Sequence, residues 1–547
     1  MSGKNNKFIQ GRRDMLSQIG LTLGGTIASH PIQLLFETIL NGMISKAYAQ
    51  VANPRRYLFI QHIGAPPRWT FDLFLTPYNT SNFVANAQVG TKYVLSGGRA
   101  TSVTYATVLA KGINVPYMWQ FPVPRASGGD RPMTDLLNNL LHIRGVTTAN
   151  AGHTGSAALR YRPLGAVKSV PALSGDASVN PFPAVNLSAT EFRYLSTKGK
   201  AAINLGNSGN MIQSLLTPFM GTLPAGYKAN KQKVQTAINA ALDEIEQYAI
   251  DRHPGADIIS QSREGAETLL NEGFGDLTDI WNDLLAKYRD LISRAIDPTR
   301  IFTGINNAPI GLTGTRTETH RLSGITNILT TPDIRNLITA NTTITRMAEH
   351  FAVAEYVLVN DLSSSMAILP GGLTNLSLSG NTSATPTFDE HYTGAIPSLY
   401  LNTMYYRAYA SCLLELIDRL KAENIWNDTV IDTGGEFNRA AKRDGTGSDH
   451  GFQGASAAIY SGAITGPIVL GNIKKESGAT PTSTHSGSWG YGAAVAGQSS
   501  GQLTLGHIAS TLAYLLRTQS PITAYSKIIG TDGTGKIVPT IELAKQI

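Results

Sequence analysis

Glu423-Asn424-Ile425-Trp426-Asn427-Asp428-Thr429-Val430-Ile431-Asp432-Thr433-Gly434-Gly435-Glu436-Phe437-Asn438-Arg439 carries the change of period on which the fold turns. Residues 398–424 keep helical spacing and end in the cap Glu423-Asn424; Thr429-Val430-Ile431 is a short apolar strand, followed by a Gly-rich loop. Working outward, Arg346–Ala354 reads as helix and Tyr356-Val357-Leu358-Val359 as an apolar strand, while Ala457–Tyr460 and Ile468–Leu470 are further strands. Near the front, Tyr57-Leu58-Phe59-Ile60 is a buried strand. A helix at about 131–141 leads to a strand-like piece, His142 to Val146. Strands alternating with helices predict an α/β fold, a mostly parallel sheet with helices on both faces. Ligand sites in such sheets lie at the carboxyl ends of the strands.

Between these parts the chain changes character. Val234, Ile238, Ala241, Leu242, Ile245 and Tyr248 follow helical spacing, and Leu270, Phe274, Leu277, Trp281, Leu284, Tyr288 and Leu291 recur at steps of four and three. The expectation is a helical hairpin packed on the body, with residues 229–300 as the alternative docking surface for a protein partner. The organisation is thus an export segment (1–49), a first part of the α/β domain (50–200), a mainly helical insertion (201–344) and a second part (345–547). Ser/Thr/Gly-rich stretches at 371–387 and 475–503 read as surface loops.

Composition narrows the function. Of 547 residues, 42% are hydrophobic and 15% charged, which excludes collagen-like, coiled-coil and wholly disordered chains. Cys412 is the only cysteine, so neither a disulfide framework nor a Cys-rich zinc module can form within the chain. Of the formal charge of +7, +3 lies in residues 1–49, where Lys4, Lys7, Arg12, Arg13 and Lys46 face only Asp14 and Glu37. The remainder is too dilute in charge for nucleic-acid binding. Arg12-Arg13 before a weakly apolar stretch ending in Ala47-Tyr48-Ala49 reads as a twin-arginine export signal, implying the bacterial periplasm. No stretch is long and apolar enough to span a bilayer.

Two near-motifs fail on chemistry. Gly530 to Lys536 resembles a phosphate-binding loop, but Ile537 stands where a hydroxyl must reach Mg²⁺ and Pro539 blocks the following helix; a turn between strands fits better. Gly497-Gln498-Ser499-Ser500-Gly501 has nucleophile-elbow spacing inside a Gly/Ser-rich loop, with only His507 after it. The informative region is 388–450. Asp389-Glu390-His391 precedes the long helix, and Gly447-Ser448-Asp449-His450-Gly451 follows the next strand. Carboxylates and imidazoles are natural ligands for Zn²⁺ or Mn²⁺, and His507, opening a helix Ile508–Leu516, could add another. The plain alternative is that these carboxylates cap turns and helices. Spacing alone favours neither.

In motif order the chain resembles an exported bacterial family, domain of unknown function 1501. The resemblance rests on the twin arginines, Asn150 to His153 before a helix, Asp389-Glu390-His391, Gly435-Glu436-Phe437-Asn438-Arg439 with Gly447-Ser448-Asp449-His450-Gly451, and Thr504-Leu505-Gly506-His507 with Thr511-Leu512. It covers most of 55–170 and 345–520. It implies a fold like that of alkaline phosphatases and sulfatases and a two-metal site holding zinc or manganese. Asp389, His391 and His507 would bind one ion, Asp449 and His450 the other. Thr154 or Ser156 would be the nucleophile, oriented by His153, acting on a small anionic phosphate or sulfate ester. The chain departs from that pattern after the first strand: Ile63 to Asp72 holds no carboxylate before Asp72, where the superfamily carries an Asp. The resemblance therefore supports two functional readings, a metal-dependent ester hydrolase and a catalytically degenerate periplasmic binding or scaffold protein.

Overall fold

The computed structural model describes residues 54–544 except 73–86, 97–98, 151, 179, 181, 188–193, 206–208, 213, 216–276, 298–341, 371–388, 392, 443–444, 452–453, 476–488, 497 and 499–500. The export segment, residues 229–276 and the 371–387 loop lie outside the described residues.

The sheet strands are β1 (Arg56–His62), β2 (Leu140–Thr147), β3 (Ala184–Leu187), β4 (Ala202–Asn204), β5 (Ser365–Ile368), β6 (Thr429–Gly435), β9 (Ala455–Tyr460), β10 (Ile468–Leu470) and β11 (Leu503–Thr504). A hairpin of β7 (Asn438–Ala441) and β8 (Ser448–Gly451) stands apart from them. The sheet order is β4-β3-β5-β1-β6-β9-β2-β10, with β11 also on β2. Every pairing is parallel except those of β9, which runs antiparallel to both β6 and β2. The α/β architecture with a mostly parallel sheet is therefore present. The carboxyl ends of β1, β2 and β6 share one edge.

Burial on both faces explains the runs of apolar residues in the strands. Successive side chains alternate: Leu58, Ile60 and Ile431 face one core, Tyr57, Phe59 and Val430 the other. The first core is closed by α3 (Leu277–Ala295), α4 (Thr342–Val359) and α5 (Ala395–Ala422). The second is closed by α1 (His153–Tyr161), α2 (Pro171–Ala177) and α6 (Leu505–Leu515). On α3, Trp281, Leu285, Tyr288, Leu291 and Ile292 are buried against α4 and α5, so this part of the apolar stripe is used inside the molecule.

Several elements differ from expectation. Tyr356–Val359 is the last turn of α4, not a strand, because α4 is buried and lacks the polar face that would reveal a helical period. The strand of that region is β5, further on. The 131–141 helix is a 3₁₀ segment, Met133–Asn139, and β2 begins at Leu140. β4 extends the sheet into the range read as the helical insertion. Gly530 to Lys536 forms the turn of a hairpin, Ile529–Thr531 with Ile537–Pro539, as expected. Among the described residues no helix is long and apolar enough to cross a membrane.

Candidate functional site

The chain leaves β1, β2 and β6 at the same sheet edge, and each exit is shaped by a few residues. After β2, Ala149 takes a positive φ of 58° and Asn150 ties the turn to α1: its Oδ1 accepts from the Gly152 N–H at 2.6 Å, its carbonyl from Ser156 Oγ at 2.8 Å. His153 is thereby the first residue of α1. After β1, Gly64 and Ala65 both adopt positive φ, 77° and 45°, strained for alanine. After β6, Glu436 and Phe437 lead into the β7–β8 hairpin.

Hairpin register sets the next contact. Arg439 on β7 lies opposite His450 on β8, and both side chains reach Asp389. The Asp389–His391 loop is pinned from two sides. The buried Glu390 accepts from Ser398 Oγ and, at 2.8 Å, from Asn402 Nδ2 on α5, while its carbonyl accepts from the Ser448 N–H at 2.9 Å. Burial raises the Glu390 carboxyl to about 7, against the opposing pull of the Ser398 and Asn402 hydrogen bonds. Gly447, at φ +141°, lets the hairpin pass this loop; a Cβ there would lie 2.4 Å from the His391 carbonyl oxygen.

Three potential ligand atoms, from His153, Asp389 and His450, lie within 4.8 Å of one another. Asp389 Oδ1 is 3.0 Å from His450 Nε2 and 3.1 Å from His391 Nε2, and Oδ2 is 3.4 Å from His153 Nε2. His391 Nε2 is also 3.1 Å from His450 Nε2. Two of these imidazoles carry a carboxylate on their far nitrogen: His153 Nδ1 donates to Glu436 at 2.5 Å, and His391 Nδ1 to Asp449 at 3.1 Å. A carboxylate behind a histidine fixes its tautomer and turns Nε2 outward as a donor, the support that metal-binding histidines normally have. Phe437 packs against the rings of both His153 and His450, with centroids 4.9 and 4.3 Å away. The donor set therefore suits one divalent ion of the zinc or manganese kind, with His391 as a fourth donor.

The carboxylates hold protons on two of these imidazoles. Hydrogen bonds to Asp389 and Glu436 raise His153 to about 9, and those to Asp389 and Asp449 raise His391 to about 9. Burial pushes the Asp389 carboxyl up, but hydrogen bonds from His153, His391 and His450 with the Arg439 charge outweigh it and hold the group well below the usual range.

Asp389, His391, Asp449 and His450 thus come together with His153, but in a different grouping from the expected one. Asp449 sits behind His391, and His450 shares Asp389 with His153. His507 is engaged elsewhere. It is the third residue of α6, where it completes a capping box with Thr504 and packs against Tyr525. Thr154 is exposed in the first turn of α1, whereas Ser156 is buried on Asn150. Asp72 lies inside the molecule, bonded to Arg68 Nε at 2.7 Å. Glu390, Glu436, Phe437 and Arg439 join the site without any sequence-based expectation of a role for them.

No curated protein and no solved structure matches this chain. Residues 376–486 match the family model described as "Protein of unknown function (DUF1501)". The stretch that supplies Asp389, His391, Glu436, Arg439, Asp449 and His450 is the one this match covers, and it supports the DUF1501 family.

Proposed function

We propose that this chain is an exported, metal-dependent hydrolase of small phosphate or sulfate esters. The observation that carries the reading is the convergence of His153, Asp389 and His450 at the carboxyl edge of the sheet, with Glu436 behind His153. A bound zinc or manganese ion would supply a Lewis acid that polarises an ester oxygen and offsets its charge. His153, Asp389 and His450 would hold it, with His391 alongside. The N-terminus of α1 opens at His153, so its unpaired N–H groups and dipole favour an anionic substrate there. Thr154, exposed in the same turn, is the hydroxyl we assign as nucleophile. Export through the twin-arginine segment delivers such a protein already folded.

The test is turnover of p-nitrophenyl phosphate and p-nitrophenyl sulfate by full-length protein purified without chelators. Turnover should be abolished by EDTA and restored by added zinc or manganese. Asp389→Asn should lower it at least about 100-fold, and Thr154→Ala should abolish it without changing metal content. Metal-replete protein that turns over neither ester would refute the reading.

A further inference from the structure

A two-ion centre needs Asp389 to serve a second set of donors. Its Oδ1, the oxygen that faces His391 and His450, is already held by a fixed cation. The Arg439 guanidinium donates from Nη2 to Asp389 Oδ1 at 2.5 Å and to the Gly64 carbonyl at 2.6 Å, and from Nε to the Ala65 carbonyl at 2.9 Å. Its side chain is fully buried, with Cζ 5.4 Å from the Phe437 ring centre. The turn after β1, where a further carboxylate would be wanted, offers only these two carbonyls, and both point at Arg439. The nearest carboxylate downstream, Asp72, is buried and committed to Arg68. A second cation, Lys442, is nearly buried; its Nζ donates to the His391 carbonyl at 2.6 Å and lies 3.6 Å from Asp449 Oδ1.

Charge balance points the same way. Among the described residues, three carboxylates (Asp389, Glu436, Asp449) meet two fixed cations (Arg439, Lys442) around the donor atoms. One divalent ion leaves this half-buried centre with a single positive charge, which an anionic ester can balance. A second ion would leave three, with the new charge pressed against a guanidinium that already holds the same carboxylate oxygen.

We infer that the centre takes one divalent ion, and that the Arg439 guanidinium permanently occupies the place of a second. The inference deepens the metal-centre reading above and rests on it. Arg439 is a positioning residue here: it fixes Asp389 and supplies charge that no chelator can remove.

The experiment is a titration of chelator-stripped, full-length protein with Co²⁺ and with Zn²⁺, followed by calorimetry and, for Co²⁺, by the visible ligand-field spectrum. The expected result is saturation at one equivalent, lost in His450→Ala. Arg439→Lys should also stop at one, whereas Arg439→Gln should admit a second ion at higher metal concentration. Two equivalents in the unaltered protein, both changing the spectrum, would overturn the inference and leave the hydrolase reading standing. No bound metal would overturn both. A folded Arg439→Gln variant that still stops at one would show that Arg439 is not what excludes the second ion. Should that variant fail to fold, the stoichiometry of the unaltered protein still decides.

Discussion

Glu436 touches none of the other donor atoms, yet it decides what His153 can do. With Nδ1–H held by the carboxylate, Nε2 is the nitrogen that faces Asp389, and its lone pair becomes available there once its proton leaves. Glu436→Gln keeps the shape and removes the charge, so it should weaken metal binding about 10–100-fold and, by taking a carboxylate from the protonated His153, also lower the stability of the metal-free protein near pH 6.5. Competition against a chromophoric chelator measures this; an unaltered affinity would mean that His153 is not a ligand. At this scale the sequence was half legible. Aspartates and histidines in Gly-rich loops announce themselves by residue type, and Asp389, His391, Asp449 and His450 do meet. Glu436 and Arg439 stood in the same motif, but their roles depend on hairpin register, which sets Arg439 opposite His450. His507 is the contrasting case: Thr504-Leu505-Gly506-His507 has the spacing of a helix cap, and the Nδ1 of the imidazole serves that cap.

Elements bring these residues within reach, and at the site two of them pass closely at Gly447. A side chain there would be strained twice, by φ and by the His391 carbonyl oxygen 2.4 Å from its Cβ. Gly447→Ala should therefore cost at least about 2 kcal/mol and also weaken metal binding, because His391 and His450 lie on the two pieces pushed apart. Gly533→Ala is the control, since nothing lies within 4 Å of its added Cβ and it should melt within about 0.5 kcal/mol of the parent. Chemical denaturation together with metal titration tests both, and a Gly447→Ala variant as stable as the control would refute the argument. Among elements, those with a clear apolar run were readable: β1, β6, β9 and β10 lie where Tyr57–Ile60, Thr429–Ile431, Ala457–Tyr460 and Ile468–Leu470 placed them. Other elements were legible only in part. α4 was read as helix over Arg346–Ala354, but its enclosed last turn, Tyr356–Val359, is an unbroken apolar run that a strand also shows; β3, β4 and β5, three or four residues long, lack the unbroken apolar run of β10.

Across the whole molecule the same enclosure traps titratable groups outside the donor set, and this sets how stability responds to acid. His62 sits between Tyr405 Oη at 2.7 Å and Thr433 Oγ1 at 3.0 Å, and burial holds its pKa well below the ordinary value. His142, on β2, is lowered to about 4 by burial, partly opposed by Asp72 at 3.8 Å. His350, on α4, is lowered to about 3 by burial; its Nδ1 accepts from the Leu369 N–H at 2.9 Å, which fixes the exit of β5. All three stay neutral in the fold, but an unfolded chain protonates them near pH 6.5. Below that pH the unfolded state binds more protons, so stability falls with pH, by about 1.4 kcal/mol per pH unit for each imidazole, until the folded values near 4 and 3 are reached. Urea midpoints of chelator-treated protein should accordingly drop steadily from pH 6.5 to 4.5. His350→Gln, which keeps a side-chain acceptor without the titration, should lower the starting stability and flatten that slope by about half, since Glu390, raised to about 7, takes up a proton in the fold over the same interval and offsets one imidazole. A midpoint independent of pH over this interval would mean that these imidazoles are protonated inside the fold. At the other end, His153 and His391 are raised to about 9, so the stability they add is complete below pH 6.5 and is lost as pH rises toward 9. The metal-free protein should thus be most stable near pH 6.5, and a bound divalent ion, which takes the place of those protons, should remove the alkaline decline while leaving the acid one in place.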